Sequence, residues 1–379
     1  MYFQPSEEHL MVRRAARDFA LNELKPGVIE RDELQMFPIE QIKMMGELGF
    51  MGMMVSPQYG GSGMDAISYI LVIEELSKID ASAAVVMSVN NSLVCYGLEK
   101  YAAESQKQKY LRRLAKGEVI GAFCLSEPEA GSDATALSTM AIDMGDHYLL
   151  NGTKNWITNG NSASIYLVIA QSNPNKRHKG INAFIVEKGM PGFVVGSKEN
   201  KMGIRGSDTH SLHFNDVKVP KENRIGEDGS GFRFAMRVLE AGRIGIAAQA
   251  LGIASGAYEL ALNYTKERKA FGKSLADVQA IQFKLADMAT NIEAARLLCL
   301  KAAWLKDNSL PYAQASSIAK LFASETAMKT TTEAVQIHGG YGYVKEYHVE
   351  RLMRDAKVTQ IYEGTSEIQR IVISRSVLR

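Results

Sequence analysis

The chain has 379 residues, 46% hydrophobic and 23% charged, with a formal net charge of +2. That length supports two or three packed domains around a large core, in the composition range of an ordinary soluble protein. So small a positive excess excludes a nucleic-acid binder that works through a basic surface, while leaving room for a local basic pocket for one phosphorylated ligand. From about Ser6 to Gly117 the pattern is helical. A charged amphipathic segment starts at Ser6, and no secretory signal is visible before it. Pro38 suits the first turn of a helix. Ser56 to Gly63, with Pro57, Gly60, Gly61 and Gly63, predicts a loop. Met64 to Ser77, with Ile67, Ile70 and Leu71 at helical spacing, predicts a helix.

From about Glu118 to Arg224 the period shortens. Tyr166, Val168 and Ala170 alternate with Leu167 and Ile169, Leu212 and Phe214 alternate with polar neighbours, and Asn151-Gly152 predicts a hairpin turn. From about Ser230 the helical period returns. Val278, Ile281, Leu285, Met288, Ile292, Ala295 and Cys299 mark a seam suited to a bundle helix. The uncharged stretch Ile244 to Tyr258 is too short and too rich in Ala and Gly to span a bilayer. The expected architecture is mainly α with a β middle domain: helices over 1–117, strands over 118–228 and a helical bundle over 229–379. No G-x-G-x-x-G follows a strand, so a dinucleotide would not sit in a Rossmann crevice. Cys95, Cys124 and Cys299 are odd in number and widely spaced, which predicts reduced thiols in a cytoplasmic protein. None stands at metal-ligand spacing, and no metal is expected.

Five segments can carry chemistry. FCLSEPEAGSD (123–133) is a long surface turn or a glycine- and hydroxyl-rich ligand loop. Trp156 with Ile157 and Thr158 is a half-buried strand segment or a flat platform for a heterocycle. YTKERKAFGK (264–273) is a solvated basic helix end or a pyrophosphate site through Arg268. QIHGGYGY (336–343) breaks a helix and can expose backbone amides; His338 alone suits a structural role better than a chemical one. In IYEGTSEIQR (361–370), Glu363 precedes Gly364 and a helix can restart after Thr365. A carboxylate there is a surface cap or, if buried against an apolar ligand, a base with a raised pKa.

In this order and at these separations the five segments resemble the acyl-CoA dehydrogenase family, most closely its short-chain (butyryl-CoA) members. The likeness runs from Phe3 to the last helix and includes SVNNS at 88–92. The resemblance implies the fold of that family: an N-terminal helical domain, a β-barrel-like middle domain and a C-terminal four-helix bundle. It also implies FAD, an acyl-CoA substrate, electron transfer flavoprotein as electron acceptor, and a homotetramer built as a dimer of dimers, with no nucleic acid or membrane partner. Carried over by position, Phe123, Cys124, Leu125, Ser126, Trp156, Ile157 and Thr158 would meet the isoalloxazine. Arg268, Phe271, Gln279, Gln336, Ile337, His338, Gly339 and Gly340 would meet the adenine-bearing end of a neighbouring subunit's flavin. Thr365, Ser366 and Glu367 complete the cofactor set. Ser132, Glu240, Arg243 and Gly364 would contact substrate, with Glu240 standing where the family's motif usually has Asp.

Glu363 is the implied base. Relatives such as isovaleryl-CoA dehydrogenase carry the base directly before the Arg that matches Arg243; here that position is Gly242. The implied reaction is α,β-dehydrogenation of a short-chain acyl-CoA to the trans-2-enoyl-CoA. Open beside it are an acyl-CoA oxidase, a dehydrogenase for branched or dicarboxylic acyl-CoA, and a catalytically silent binding or assembly protein on the same fold.

Overall fold

Ser6 starts the first helix by accepting a hydrogen bond from His9 N, and the Ser6 N–H donates in return to His9 Nδ1. The computed structural model describes residues 5–378; Phe3, where the resemblance begins, lies outside them. Helices α1 (Glu7–Phe19), α2 (Val28–Glu33), α3 (Ile39–Glu47), α4 (Ala66–Ser77), α5 (Ala81–Ser88), α6 (Tyr96–Tyr101) and α7 (Glu104–Ala115) form the N-terminal layer. Pro38 sits at the cap of α3. Asp65 caps α4 and Asp80 caps α5, each through its carboxylate and a first-turn N–H. The predicted loop before α4 holds only one short 3-10 turn, Pro57–Tyr59.

Between α5 and α6 the helix widens into a π-turn, Val89–Cys95. This is the SVNNS region, and its two asparagines are fully satisfied in the core. Asn90 Nδ2 donates to the Met51 and Leu114 carbonyls at 2.8 and 3.1 Å, and its Oδ1 accepts from Gly121 N at 3.0 Å. Asn91 Nδ2 donates to the Phe50 and Met87 carbonyls, and its Oδ1 accepts from Met53 N. The turn therefore fastens a loop, the end of α7 and the first strand at one point. Asn90→Ala would take the side-chain partner from the Met51 carbonyl, the Gly121 N–H and the Leu114 carbonyl, the last of which keeps the Gly117 N–H, and is expected to cost about 3 kcal/mol, read as an earlier urea transition. An unchanged transition would show that water replaces the amide at no cost.

The middle of the chain is one sheet of β1 (Gly121–Cys124), β2 (Met140–Asp143), β3 (His147–Thr158), β4 (Ile165–Gln171), β5 (Ile181–Glu187), β6 (Phe193–Lys198), β7 (Thr209–Pro220) and β8 (Arg224–Ile225). The order is β6-β7-β3-β2-β4-β5-β8, with β1 pairing parallel to β4. Alternate residues of β4 serve two cores. Leu167 and Ile169 face the helices, while Tyr166, Val168 and Ala170 pack within the sheet domain beside Phe184 and Phe214. Burial on both faces explains the continuous apolar run.

The Asn151-Gly152 expectation is corrected here. The pair lies inside β3, where a register shift against β7 makes a bulge and Gly152 takes φ +144°. Asn151 exchanges two hydrogen bonds with Asp216, and a side chain at Gly152 would run into Thr139. The hairpin turns instead at Met144–Asp146, with Gly145 at φ +99°. Gly-containing polar pairs suit bulges as well as turns, and only strand pairing chooses between them.

The C-terminal region holds α8 (Gly231–Glu267), a minimal hairpin of β9 (Lys269–Ala270) and β10 (Lys273–Ser274), then α9 (Gln279–Asp307), α10 (Ala313–His338), α11 (His348–Thr359) and α12 (Ser366–Val377). The Ala- and Gly-rich stretch of α8 lets α4 approach closely. A Cβ at Gly252 or Gly256 would stand 2.4 Å from the Glu74 or Lys78 carbonyl oxygen. By length and hydropathy, Ala81–Tyr101 and Gly231–Glu267 could each cross a membrane; both are mostly buried inside the protein. Along the seam, Met288, Ile292, Ala295 and Cys299 of α9 are buried, while Val278, Ile281 and Leu285 at its N-terminal end are half-buried.

Candidate active site

The ends of β1 and β3, the start of β7, α8, the π-turn segment and the turn between α11 and α12 enclose a cleft of about 500 Å³. Its walls include Phe123, Leu125, Ser126, Trp156, Ile157, Thr158, Arg243, Glu363, Gly364 and Thr365, with Ser132 at its exposed rim. Val85, Val89 and Leu93, spaced four apart, give it an apolar side. Asn90 and Asn91 anchor the same helical segment elsewhere, so one short stretch both lines and fixes this wall.

Glu363 and Gly364 form a turn with φ +51° and +94°. The first value is unusual for a residue with a side chain, and such backbone is held where the surroundings dictate it. Thr365 caps α12 directly afterwards. Glu363 keeps partial exposure as a residue, but its carboxylate Oε2 is shut off from solvent and, among the described residues, has no hydrogen-bond partner. Burial pushes the carboxyl up to about 7, against the opposing charges of Lys320 and Arg243. Gly242 on α8 makes room for the carboxylate: a Cβ there would lie 2.1 Å from Oε2 and 2.6 Å from Leu93 Cδ2. Arg243 is buried, with Nη1 3.3 Å from Ser317 Oγ and Nε unpartnered.

A second stretch of wall is built by a bulge. The β3–β7 register shifts between Lys154 and Ile157, and Trp156 at φ +61° is turned out of the sheet to 62% exposure. An uncovered indole in a cleft wall favours the platform reading over the half-buried strand reading. Beside it, Lys154 and Glu127 form an ion pair of 2.6 Å with essentially no exposure. Lys154 also donates to the Leu125 carbonyl at 2.9 Å, and Glu127 accepts from Ser138 and Thr139. Desolvation pushes the Glu127 carboxyl up, but Lys154 and these donors outweigh it and hold it below its ordinary value. The pair thus fixes the backbone of Leu125 and Ser126. Lys154→Met strands a buried carboxylate and is expected to cost ~3 kcal/mol or more. A thermal melt should show the loss, with partial recovery in Lys154→Met/Glu127→Gln; equal melts for all three proteins would contradict it.

Family models for the N-terminal, middle and C-terminal domains of acyl-CoA dehydrogenase match residues 6–118, 122–217 and 229–378. The chain belongs to the acyl-CoA dehydrogenase family. It is 52% identical, over the full length of both proteins, to the short-chain specific acyl-CoA dehydrogenase of Clostridium acetobutylicum. Among solved structures it superposes with a TM-score of 0.99 on butyryl-CoA dehydrogenase from Megasphaera elsdenii, at 49% identity over all of both chains. The same score, at 51% identity and full coverage of both chains, relates it to a chain of the structure described as the electron transferring flavoprotein of Acidaminococcus fermentans.

The residues that the acyl-CoA dehydrogenase motifs single out do not all meet in this cleft. Arg268, Ile337, His338, Gly339 and Gly340 line a separate groove of about 490 Å³ with Tyr264 and Tyr341. His338 is buried there, donates Nδ1–H to the Ala334 carbonyl and stacks on Tyr264, so its side chain has the structural role. Gly339 and Gly340 are open, with nothing near a Cβ position. Phe271 at φ +51° is fully exposed, and Gln279 and Gln336 are exposed outside both cavities. Cys124 is buried in the sheet core, so any ligand contact there is limited to backbone. Ser366 and Glu367 lie on α12 beyond the lining, and Glu240 accepts from Arg237 Nη1 at 3.0 Å outside the cleft. Sequence reasoning missed Lys154, Lys320 and the role of Val85, Val89 and Leu93. Lysines far from any motif carry no local signal, and aliphatic residues at helical spacing read as core.

Proposed function

We propose that the protein is an FAD-dependent dehydrogenase of short-chain acyl-CoA thioesters, with Glu363 as the base that removes the α-proton. The observation that carries this is a carboxylate with a solvent-shielded oxygen, unpartnered among the described residues, lining the same apolar cleft as an uncovered tryptophan. The cleft fits a flavin by this structure's own features: Trp156 is a bare flat surface, Thr158 and Ser126 line the same cleft, and Lys154 holds the Leu125 carbonyl beside them. When bound, FAD supplies the two-electron acceptor for the β-hydrogen and its bonding electrons.

The chain's own residues supply the rest. Glu363 accepts the α-proton at Oε2. Its carboxyl titrates near pH 7, which balances availability as an ionised base against strength. Among the described residues the Glu363 N–H donates to no backbone carbonyl, and it is free to meet the thioester oxygen as charge develops. Val85, Val89, Leu93 and Leu239 present no polar side chain to an alkyl group and exclude water around the proton transfer. The exposed groove of Arg268 and Gly339–Gly340 supports a homotetramer in which a second copy supplies one end of the cofactor site. The likeness to the Acidaminococcus structure supports an electron transfer flavoprotein as acceptor. Three buried free cysteines suit the cytoplasm.

The test is anaerobic addition of butyryl-CoA to the purified yellow protein. Bleaching of the flavin absorbance, with highest kcat/KM at four to six carbons across a two-to-sixteen-carbon series, is the expected result. No bleaching with any acyl-CoA would favour the silent binding protein, and a maximum at twelve carbons or more would overturn the chain-length assignment.

A further inference from the structure

Lys320 lies on α10 with no exposed surface. Its hydrogen bond among the described residues goes to a backbone carbonyl, that of Gly364, at 2.7 Å. Gln369 Nε2 donates to the same oxygen at 2.8 Å and to the Glu363 carbonyl at 3.3 Å. A buried ammonium whose acceptor is a neutral carbonyl is costly, and an apolar side chain of similar volume would fill the space with less penalty. What the cation touches is the turn that carries the base, and that turn has positive φ at two successive residues. Such a turn needs fastening from outside itself.

We propose that Lys320 is a positioning residue for Glu363: from α10 its ammonium pins the Gly364 carbonyl, aims the preceding carboxylate into the cleft and faces it with a positive charge. The inference rests on Glu363 being the base. Charged and titratable groups reach Glu363 from every side. They are Lys320 on α10, Arg243 on α8, the Tyr69 hydroxyl on α4 and Tyr362 on its own turn. Burial raises the Glu363 carboxyl, and Lys320 is the largest influence in the other direction. Burial likewise lowers Lys320 to about 8; Glu363 opposes that fall, Arg243 adds to it, and Glu325 and Glu367 also oppose it. The two groups thus hold each other charged between about pH 7 and 8.

The experiment compares Lys320→Met, Lys320→Gln and Glu363→Gln as purified flavin-loaded proteins, by flavin content, thermal melt and the pH profile of kcat and kcat/KM. Loss of the cation should move the acidic limb of kcat/KM upward by about one pH unit in both Lys320 variants. In Lys320→Met the high-pH kcat should also fall ~10–100-fold with KM within about threefold, because the turn is no longer pinned. Lys320→Gln, which can still donate to the Gly364 carbonyl, should recover most of that plateau. If Lys320→Met loses its flavin or its fold, the limb of Lys320→Gln decides. An acidic limb and plateau unchanged from wild type would overturn the positioning role. Turnover retained in Glu363→Gln would instead overturn the assignment of the base, which separates the two failures.

Discussion

Glu363→Gln is expected to retain flavin and fold while losing turnover by ~10³-fold or more, the upper part of the range for removing a general base. Glutamine keeps the size and the cleft-facing position but cannot take a proton at neutral pH. The pH dependence gives a second signature. Because burial raises the carboxyl to about 7, the competent ionised form is the minor one below that pH. Wild-type kcat/KM should therefore rise tenfold per unit up to about pH 7 and level off above it; the variant's residual rate should show no such limb. Stability runs the other way. A carboxyl that holds its proton more tightly when folded stabilises the fold at low pH, and that contribution is lost as pH rises from the ordinary value of 4.5 through 7. At pH 8 the variant no longer carries this buried charge and should melt at or above the wild-type temperature. A Glu363→Gln protein with normal turnover, or one whose loss merely tracks lost flavin, would sink the assignment.

Gly242→Ala is expected to lower kcat/KM by ~10²-fold with a melt close to wild type. The added methyl carbon would stand 2.1 Å from Glu363 Oε2 and 2.6 Å from Leu93 Cδ2. Both are the far ends of side chains, so the fold can accommodate the methyl group by moving them. The atom that moves is the one that must reach the α-proton, and displacement by an ångström is enough to cost two orders of magnitude. Steady-state kinetics beside a thermal melt would check this: equal losses in both would point to ordinary overpacking, and wild-type kinetics would show the carboxylate is not confined by α8. The same contact explains why family members can place the base on either of two segments distant in sequence. Position 242 on α8 and position 363 after α11 address one point in space, and occupancy of one by a carboxylate requires the other to be small.

The division into helical, β and helical segments was legible because periodicity changes where burial changes. The apolar alternation of β4 and the seam of α9 report which faces meet a core, and both appear in the fold. Glu363, Trp156 and Thr158 were legible through motif resemblance, since local backbone chemistry around them, a Gly after the base and a capping Thr, is written in neighbouring residues. Asn151-Gly152 was misread because a bulge and a hairpin make the same local demand for a permissive backbone.

By itself the sequence determined the order of helical and β segments, offered Glu363 as the base proposed here, and showed that position 242 carries no carboxylate. Only the tertiary structure decided that the Glu363 oxygen has no partner, that Lys320 pins the adjoining carbonyl and that Lys154 reaches Glu127. It also divided part of the predicted cofactor set between two cavities of one chain and left Phe271, Gln279 and Gln336 exposed outside both. These depend on contacts between residues tens to hundreds of positions apart. Their energetics come from burial and from missing or matched partners, and neither is encoded in any local pattern of residue types.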